Sequence, residues 1–312
     1  MLYRFSVCPK SKSGTPLRSD ILFGHFCWML KLTDENKFKT FIDNAASENP
    51  EIIFSDGFPS GHLPRPLLHA FTTNEDKIPD LMTYQKDKSL RKKKWINAQT
   101  VLEDTWTGDM NIADEKCPNS PEIHSMLHAV IDRFNNSSLE NNGLYSVDEI
   151  WYVEEWKKID IYINADIALW PAQSLTDALK LMLSFGYGKD TTSGCGVFDL
   201  TDGLHEINFP DIGDSQYCLN LSRCVPDDSI DLEKSFYEIE PKYGKTWQPL
   251  NHEVPFKKPI LQTVPGSVFF RNFPTLQHTC GRVLRNVHAH DRVIENCMAI
   301  TIPLRKEAVT NA

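Results

Sequence analysis

The sequence lacks the features of a membrane or exported protein. The apolar stretch from Ile21 to Leu32 is broken by His25 and Lys31, so it is not long enough to span a bilayer. Residues Met1 to Val7 have no basic start, long apolar stretch or small-residue cleavage site of a signal peptide. The eight cysteines contain no C-x-x-C pair. We therefore expect a cytoplasmic protein with reduced cysteines and no membrane contact.

The sequence also lacks the two common phosphate-loop motifs and a complete metal site. It contains no G-x-x-x-x-G-K-[ST], and Thr191 stands where G-x-G-x-x-G requires glycine. His288 and His290 have a spacing that lets both side chains lie on one face of a strand, but no third ligand converges on them. We therefore expect no metal ion and no cofactor.

The sequence does contain a glycine-rich segment, GYGKDTTSGCG, at residues 186–196. Glycine accepts positive φ and lets the backbone approach a ligand closely. Backbone N–H groups beside Lys189, Thr191, Thr192 and Ser193 suit the oxygens of a phosphate chain. The alternative is a flexible connection between a helix and a strand.

Charge is unevenly distributed along the chain. The net charge is −9, but residues 199–240 hold eleven acids and two bases, whereas residues 86–95 hold six bases and one acid. From Phe256 onward there are eight bases and three acids. Salt screens charges over about 8 Å in the cell, so these regions act independently. A local basic groove is therefore compatible with an acidic protein.

Hydrophobic patterns predict an α+β protein. A strand at 3–7, a helix at 20–32, strands at 52–54 and 159–163, a helix at 175–185 and a strand at 197–200 give a β-α-β-β-α-β order. A further strand is predicted at 145–153, joined to the one at 159–163 by residues 154–158. We expect Ser19 to cap the first helix and Gly186 to end the second.

That order predicts a ferredoxin-like (RRM-type) unit at residues 1–200, with a large insertion at about 66–142. Residues 201–312 are predicted to form a second, degenerate and strand-rich ferredoxin-like unit in tandem.

Several segments, in this order and spacing, are similar to one family. They are Gly14–Trp28, Phe54–Pro66, Lys92–Trp95, His128–Arg133 with Gly143–Tyr145, Gly186–Gly196, Pro255–Pro259, Gly266–Phe269 and Gly281–Leu284. The chain resembles the RAMP superfamily of CRISPR proteins (Cas five-like group), and within it the family of subunit four of the type III-A Csm effector complex.

The resemblance implies a non-catalytic subunit that holds the 5′ repeat-derived tag of the CRISPR RNA. It also implies docking of the large signalling subunit beside the backbone subunit, with indirect contact to target RNA. The predicted RNA-binding residues are Arg18, Ser19, Lys92, Lys93, Lys94, Trp95, His128, Arg133, Gly186, Gly188, Lys189, Ser193, Gly194 and Gly196.

Structural alternatives remain for these residues. The lysine block can be a solvated surface, although Trp95 beside it adds a face for base stacking. Arg18 and Ser19 can serve as a helix cap or as an anion site at a helix N-terminus. His128 can be a core residue, and Arg133 a surface ion pair.

Two other functions stay open. One is a metal-independent endoribonuclease that processes CRISPR RNA and uses His25 as general acid or base. The other is a purely structural assembly subunit, whose acidic 199–240 segment faces a basic neighbour.

Overall fold

The computed structural model describes residues 1–48, 50–68, 93–103, 117–138, 143–208, 215–246, 255–274, 277–290 and 292–310. The strands are β1 (Leu2–Pro9), β2 (Ile52–Pro59), β3 (His62–Pro64), β4 (Trp95–Asn97), β5 (Glu122–Ala129), β6 (Ile131–Asp132), β7 (Ser137–Ser138), β8 (Leu144–Trp151), β9 (Ile159–Ala165), β10 (Phe198–Glu206), β11 (Tyr217–Asn220), β12 (Ile230–Phe236), β13 (Ile239–Lys242), β14 (Ile260–Thr263), β15 (Val268–Arg271), β16 (Thr279–Leu284) and β17 (Glu295–Leu304). The helices are α1 (Ser19–Thr33), α2 (Glu35–Ala46), α3 (Ala98–Leu102), α4 (Ala172–Ser184) and α5 (Lys306–Thr310).

The first sheet has four antiparallel strands in the order β10-β1-β9-β2. Helix α1 lies between β1 and β2 in the chain, and α4 between β9 and β10, so the predicted β-α-β-β-α-β connectivity is present. The class α+β is confirmed. Two ferredoxin-like units in tandem, with a boundary at residue 200, stay a prediction.

The helices form because their apolar residues recur at helical spacing. Helix α4 buries Leu175, Leu179, Met182 and Leu183, which belong to the apolar face predicted from the sequence. On α1, Phe26 is fully buried and packs edge-on against Trp170, with ring centroids 5.1 Å apart. Both helices therefore help build the core that covers the first sheet.

The second sheet has five antiparallel strands in the order β12-β15-β11-β17-β16. It joins the first sheet directly, because Asp56 N–H donates to the Leu221 carbonyl and Ser222 Oγ donates to the Phe54 carbonyl. Leu2 and Ile302 belong to one apolar cluster although they lie in different sheets. The two halves of the chain thus share a core.

Strand β8 does not join the first sheet. It pairs with β5 over eight residue pairs to form a hairpin arm, extended by the short pair β6 and β7. The arm falls partly within the predicted insertion but continues to Trp151.

Helix α2, which the sequence patterns did not predict, packs on α1 through Phe41 and Phe23. Within the described ranges, no helix has the length and apolarity that crossing a membrane requires.

Candidate nucleic-acid interface

The glycine-rich loop begins where α4 ends. Gly186 has φ 78° and donates its N–H to the Leu183 carbonyl at 3.0 Å. Glycine readily adopts this left-handed conformation, and Gly186 ends the helix as predicted. The chain can therefore leave the helix sharply and turn toward the segment that precedes α1.

Different physical constraints explain why glycine occupies three positions of the loop. At Gly196 an added Cβ would lie 1.9 Å from the Tyr187 carbonyl oxygen, because Tyr187 N–H donates to the Gly196 carbonyl across the neck of the loop. At Gly188 an added Cβ would lie 2.6 Å from Cβ of Thr15. At Gly194 it would meet no heavy atom within 4 Å. Gly196 and Gly188 thus serve close packing, whereas Gly194 borders open space.

Residues 10–18 hold the loop from one side. Thr15 Oγ1 accepts the Lys189 N–H at 3.1 Å, and Ser11 Oγ accepts the Val197 N–H at 3.0 Å. The Tyr187 hydroxyl donates to the Pro16 carbonyl at 2.7 Å. Two segments that are far apart in sequence therefore form one structural site.

The tip of the loop points outward. Asp190 has φ 61° and is followed by a 3₁₀ turn, Thr191–Ser193. Among the described residues, no acceptor bonds the backbone N–H groups of Asp190, Thr191 and Thr192. Successive N–H groups in such a left-handed to right-handed turn form a concavity suited to an anion.

Lys189 adds the positive charge of the site. It is exposed and has no ion-pair partner within the described ranges. Its aliphatic stem lies over Gly14, where an added Cβ would come within 2.6 Å of Cγ. Ser193 and Gly194 are exposed beside it. Unbonded N–H groups, an exposed hydroxyl and an exposed cation thus all lie within residues 189–194.

His25 lies beneath this loop rather than in an open cleft. Its Nε2 accepts the Gly188 N–H at 3.0 Å, and its ring lies 4.9 Å from the Tyr187 ring. Burial lowers the pKa of His25 to about 4. Its Nε2 is therefore occupied, and the side chain is neutral at physiological pH.

The structure corrects the prediction that Ser19 caps α1, whereas RNA binding by Arg18 and Ser19 stays a prediction. Ser19 is the first residue of α1 rather than its cap, and it is buried. Its N–H donates to Asp56 Oδ1, and its Oγ accepts from Arg223 N–H. The Arg18 guanidinium donates to Glu240 at 3.0 Å. Both side chains thus lie at the junction between the two sheets. The Arg18 charge has a partner there, as a largely buried charge requires.

That junction contains a cluster of paired charges. Its basic members are Arg18, Arg223, Lys242 and Lys257, and its acidic members are Asp20, Asp56, Glu240 and Glu295. Burial raises the pKa of Asp56, although the Arg223 charge opposes this. The pKa of Asp20 is lowered because Lys242 and Arg18 outweigh its burial.

The lysine block directly precedes β4 in the chain. Lys92 is outside the described residues, Lys93 is half-buried and Lys94 is exposed. The Trp95 ring packs against Trp156 and Phe58, with centroids 5.4 Å and 6.1 Å away. The Trp95 side chain is thus partly buried against the core, and base stacking on it stays a prediction.

His128 and Arg133 lie on the hairpin arm. His128 is exposed and therefore not a core residue, and its ring stacks on Tyr145 with centroids 5.5 Å apart. Arg133 is exposed in the turn between β6 and β7, beside Phe134, which is 98% exposed. The arm meets the segment under the loop through backbone hydrogen bonds between Ser13 and Ile150.

The sequence reasoning missed two features of this region. Tyr145 and Trp151 are about half exposed on the same face of the arm as His128. Alternation along β8 was the available signal, since it places aromatic side chains on one face of a two-stranded ribbon.

Within the described ranges, no group of three or more potential metal ligands converges.

Comparison with solved structures gives matches along nearly the whole chain. A chain of the Csm1-Csm4 cassette in complex with pppApA matches with a TM-score of 0.57, 17% identity and coverage of 98% of this chain and 100% of that chain. A chain of the Csm3-Csm4 subcomplex of the type III-A CRISPR-Cas interference complex matches with a TM-score of 0.56, 15% identity and coverage of 97% and 99%. The chain has the fold of the Csm effector subunits.

A chain of the type III-B Cmr-beta complex, bound to cognate target RNA and AMPPnP, matches more distantly. Its TM-score is 0.50, with 11% identity and 86% coverage of both chains. No protein-family model matches the chain, and neither does any curated protein. The resemblance predicted from the motifs is confirmed at the level of the Csm-type fold.

Proposed function

We propose that this chain is a non-catalytic, cytoplasmic RNA-binding subunit of a type III-A CRISPR effector complex. The main support is the glycine-rich loop, whose unbonded backbone N–H groups at Asp190, Thr191 and Thr192 follow the exposed Lys189 in the chain. Single-stranded RNA held by its backbone needs such donors and a nearby cation. The bound RNA is the 5′ repeat-derived tag of the CRISPR RNA.

The proposed partners follow from the matched assemblies. Csm1 and Csm3 are the named companions of Csm4 in those structures. We propose that this chain joins the corresponding large signalling subunit to the backbone subunits, so that target RNA is contacted indirectly. An organisation into two ferredoxin-like units would suit this bridging role, since each unit offers a separate surface.

The environment of His25 supports a non-catalytic role. A general acid or base must reach the proton that it moves, and it works best with a pKa near the operating pH. Here the Gly188 N–H occupies Nε2, and burial lowers the pKa to about 4. The endoribonuclease alternative therefore has little geometric support.

Replacing Lys189 with glutamine should weaken binding of single-stranded RNA and flatten its salt dependence. One lost phosphate contact reduces the slope of log affinity against log salt by about 0.7. Fluorescence anisotropy with a labelled oligoribonucleotide at several salt concentrations measures both quantities. The matched control is Lys39→Gln on α2, which removes the same charge from an exposed lysine paired with Glu35.

Equal slopes for the two variants would contradict the assignment of the loop. The same mixtures, incubated with and without Mg²⁺ and resolved on a gel, should contain intact RNA. Defined cleavage products that vanish in His25→Ala would overturn the non-catalytic role and favour the ribonuclease.

A further inference from the structure

Three consecutive residues of the loop are anchored just before its free tip. Tyr187 is held through its hydroxyl, which donates to the Pro16 carbonyl and accepts the Arg18 N–H. Lys189 N–H is accepted by Thr15 Oγ1. Between them, Gly188 N–H is accepted by Nε2 of His25. These anchors end where the unbonded N–H groups begin, so they set the direction in which the tip points.

The His25 anchor differs from the others because its acceptor lies on a helix. His25 lies on α1, and its neighbour Phe26 is fully buried against Trp170 and Phe54. The other two acceptors, Pro16 and Thr15, lie in the irregular segment that precedes the helix. Tyr187 ties the loop to the core through its own buried ring, whereas His25 holds a backbone N–H of the loop from a side chain on helix α1.

We infer that His25 is a positioning residue that latches the glycine-rich loop onto helix α1 and so presents its tip to the RNA. Only the statement that the tip is presented to RNA rests on the proposed function. An N–H that donates to Nε2 requires that nitrogen to be unprotonated, so the ring proton lies on Nδ1. The latch therefore needs the neutral imidazole.

The chemistry of the latch suggests a matched pair of variants. His25→Leu removes the acceptor and leaves the half-buried Gly188 N–H without a partner. An unpaired buried donor costs free energy, so the anchored conformation of the loop is destabilised. His25→Gln places an amide oxygen where Nε2 lies and so keeps an acceptor. If His25 only filled space, the presence of an acceptor in His25→Gln and its absence in His25→Leu would make no difference to the loop.

Hydrogen–deuterium exchange of the full chain, without RNA, tests the latch. His25→Leu should speed exchange in the peptide covering residues 186–196 by about tenfold or more, and His25→Gln should restore most of the protection. Exchange in β9 should stay unchanged in both, which shows that the chain is folded. Unchanged exchange of the loop in folded His25→Leu would overturn the inference.

Anisotropy with a labelled single-stranded oligoribonucleotide then separates the latch from the proposed function. A mobile loop with affinity lowered about tenfold supports both. A mobile loop with unchanged affinity supports the latch and contradicts RNA binding through the loop. Equal exchange in His25→Gln and His25→Leu would overturn the latch, because retention of an acceptor would then make no difference.

Discussion

Replacing Gly196 with alanine should destabilise the protein far more than the same change at Gly194. At Gly196 the new Cβ would lie 1.9 Å from a backbone oxygen and φ is 71°, whereas at Gly194 only the φ of 81° opposes it. We expect losses of about 3–6 kcal/mol at Gly196, from overlap and backbone strain together. At Gly194 we expect about 1–2 kcal/mol.

Thermal unfolding of the two variants measures the difference. For a chain of 312 residues each kcal/mol shifts Tm by roughly 1.5 °C, so the Gly196 variant should melt several degrees below the Gly194 variant. Gly194→Asn is a useful further control because asparagine tolerates the left-handed region. Similar melting temperatures for the two alanine variants would show that the neck of the loop does not pack as described.

Replacing Arg223 with alanine should also cost several kcal/mol. Arg223 Nε donates to the buried Asp56 at 3.1 Å, and its guanidinium also bonds Glu240. Removing one partner of a buried ion pair leaves an uncompensated charge, which costs about 3–5 kcal/mol. The control is Arg282→Ala, whose partner Asp228 is fully exposed, so we expect a loss of about 0–1 kcal/mol.

Urea unfolding at several pH values checks this junction. Burial already raises the pKa of Asp56, and without Arg223 it should rise further. The deficit of Arg223→Ala should therefore shrink as the pH is lowered, because protonation removes the buried charge from the native state. A deficit that stays constant or grows on acidification would contradict the pairing.

The sequence was sufficient for the elements that local patterns determine. The apolar face of α4 and the glycine after it follow from spacing alone, and the structure places both as predicted. The strand at 159–165 also lies where alternation and apolar content place it. In each case the residues of one short segment carry the whole signal.

Long-range pairing decided what the sequence could not show. Arg18 looks like a free cation beside a helix N-terminus until Glu240, 222 residues away, takes its guanidinium. The edge contacts of Trp95 with Trp156 and Phe58 likewise join residues that are far apart in the sequence. Helix α2 was missed because only Phe41 and Ala45 are buried in it.

Protection of the loop amides on RNA binding tests the central claim most directly. Hydrogen–deuterium exchange of the full chain is measured with and without a single-stranded oligoribonucleotide. If Asp190, Thr191 and Thr192 donate their N–H groups to phosphate oxygens, exchange in the peptide covering residues 186–196 should slow on addition of RNA. RNA bound with no change in that peptide, and protection only on the hairpin arm or near Lys94, would contradict the account.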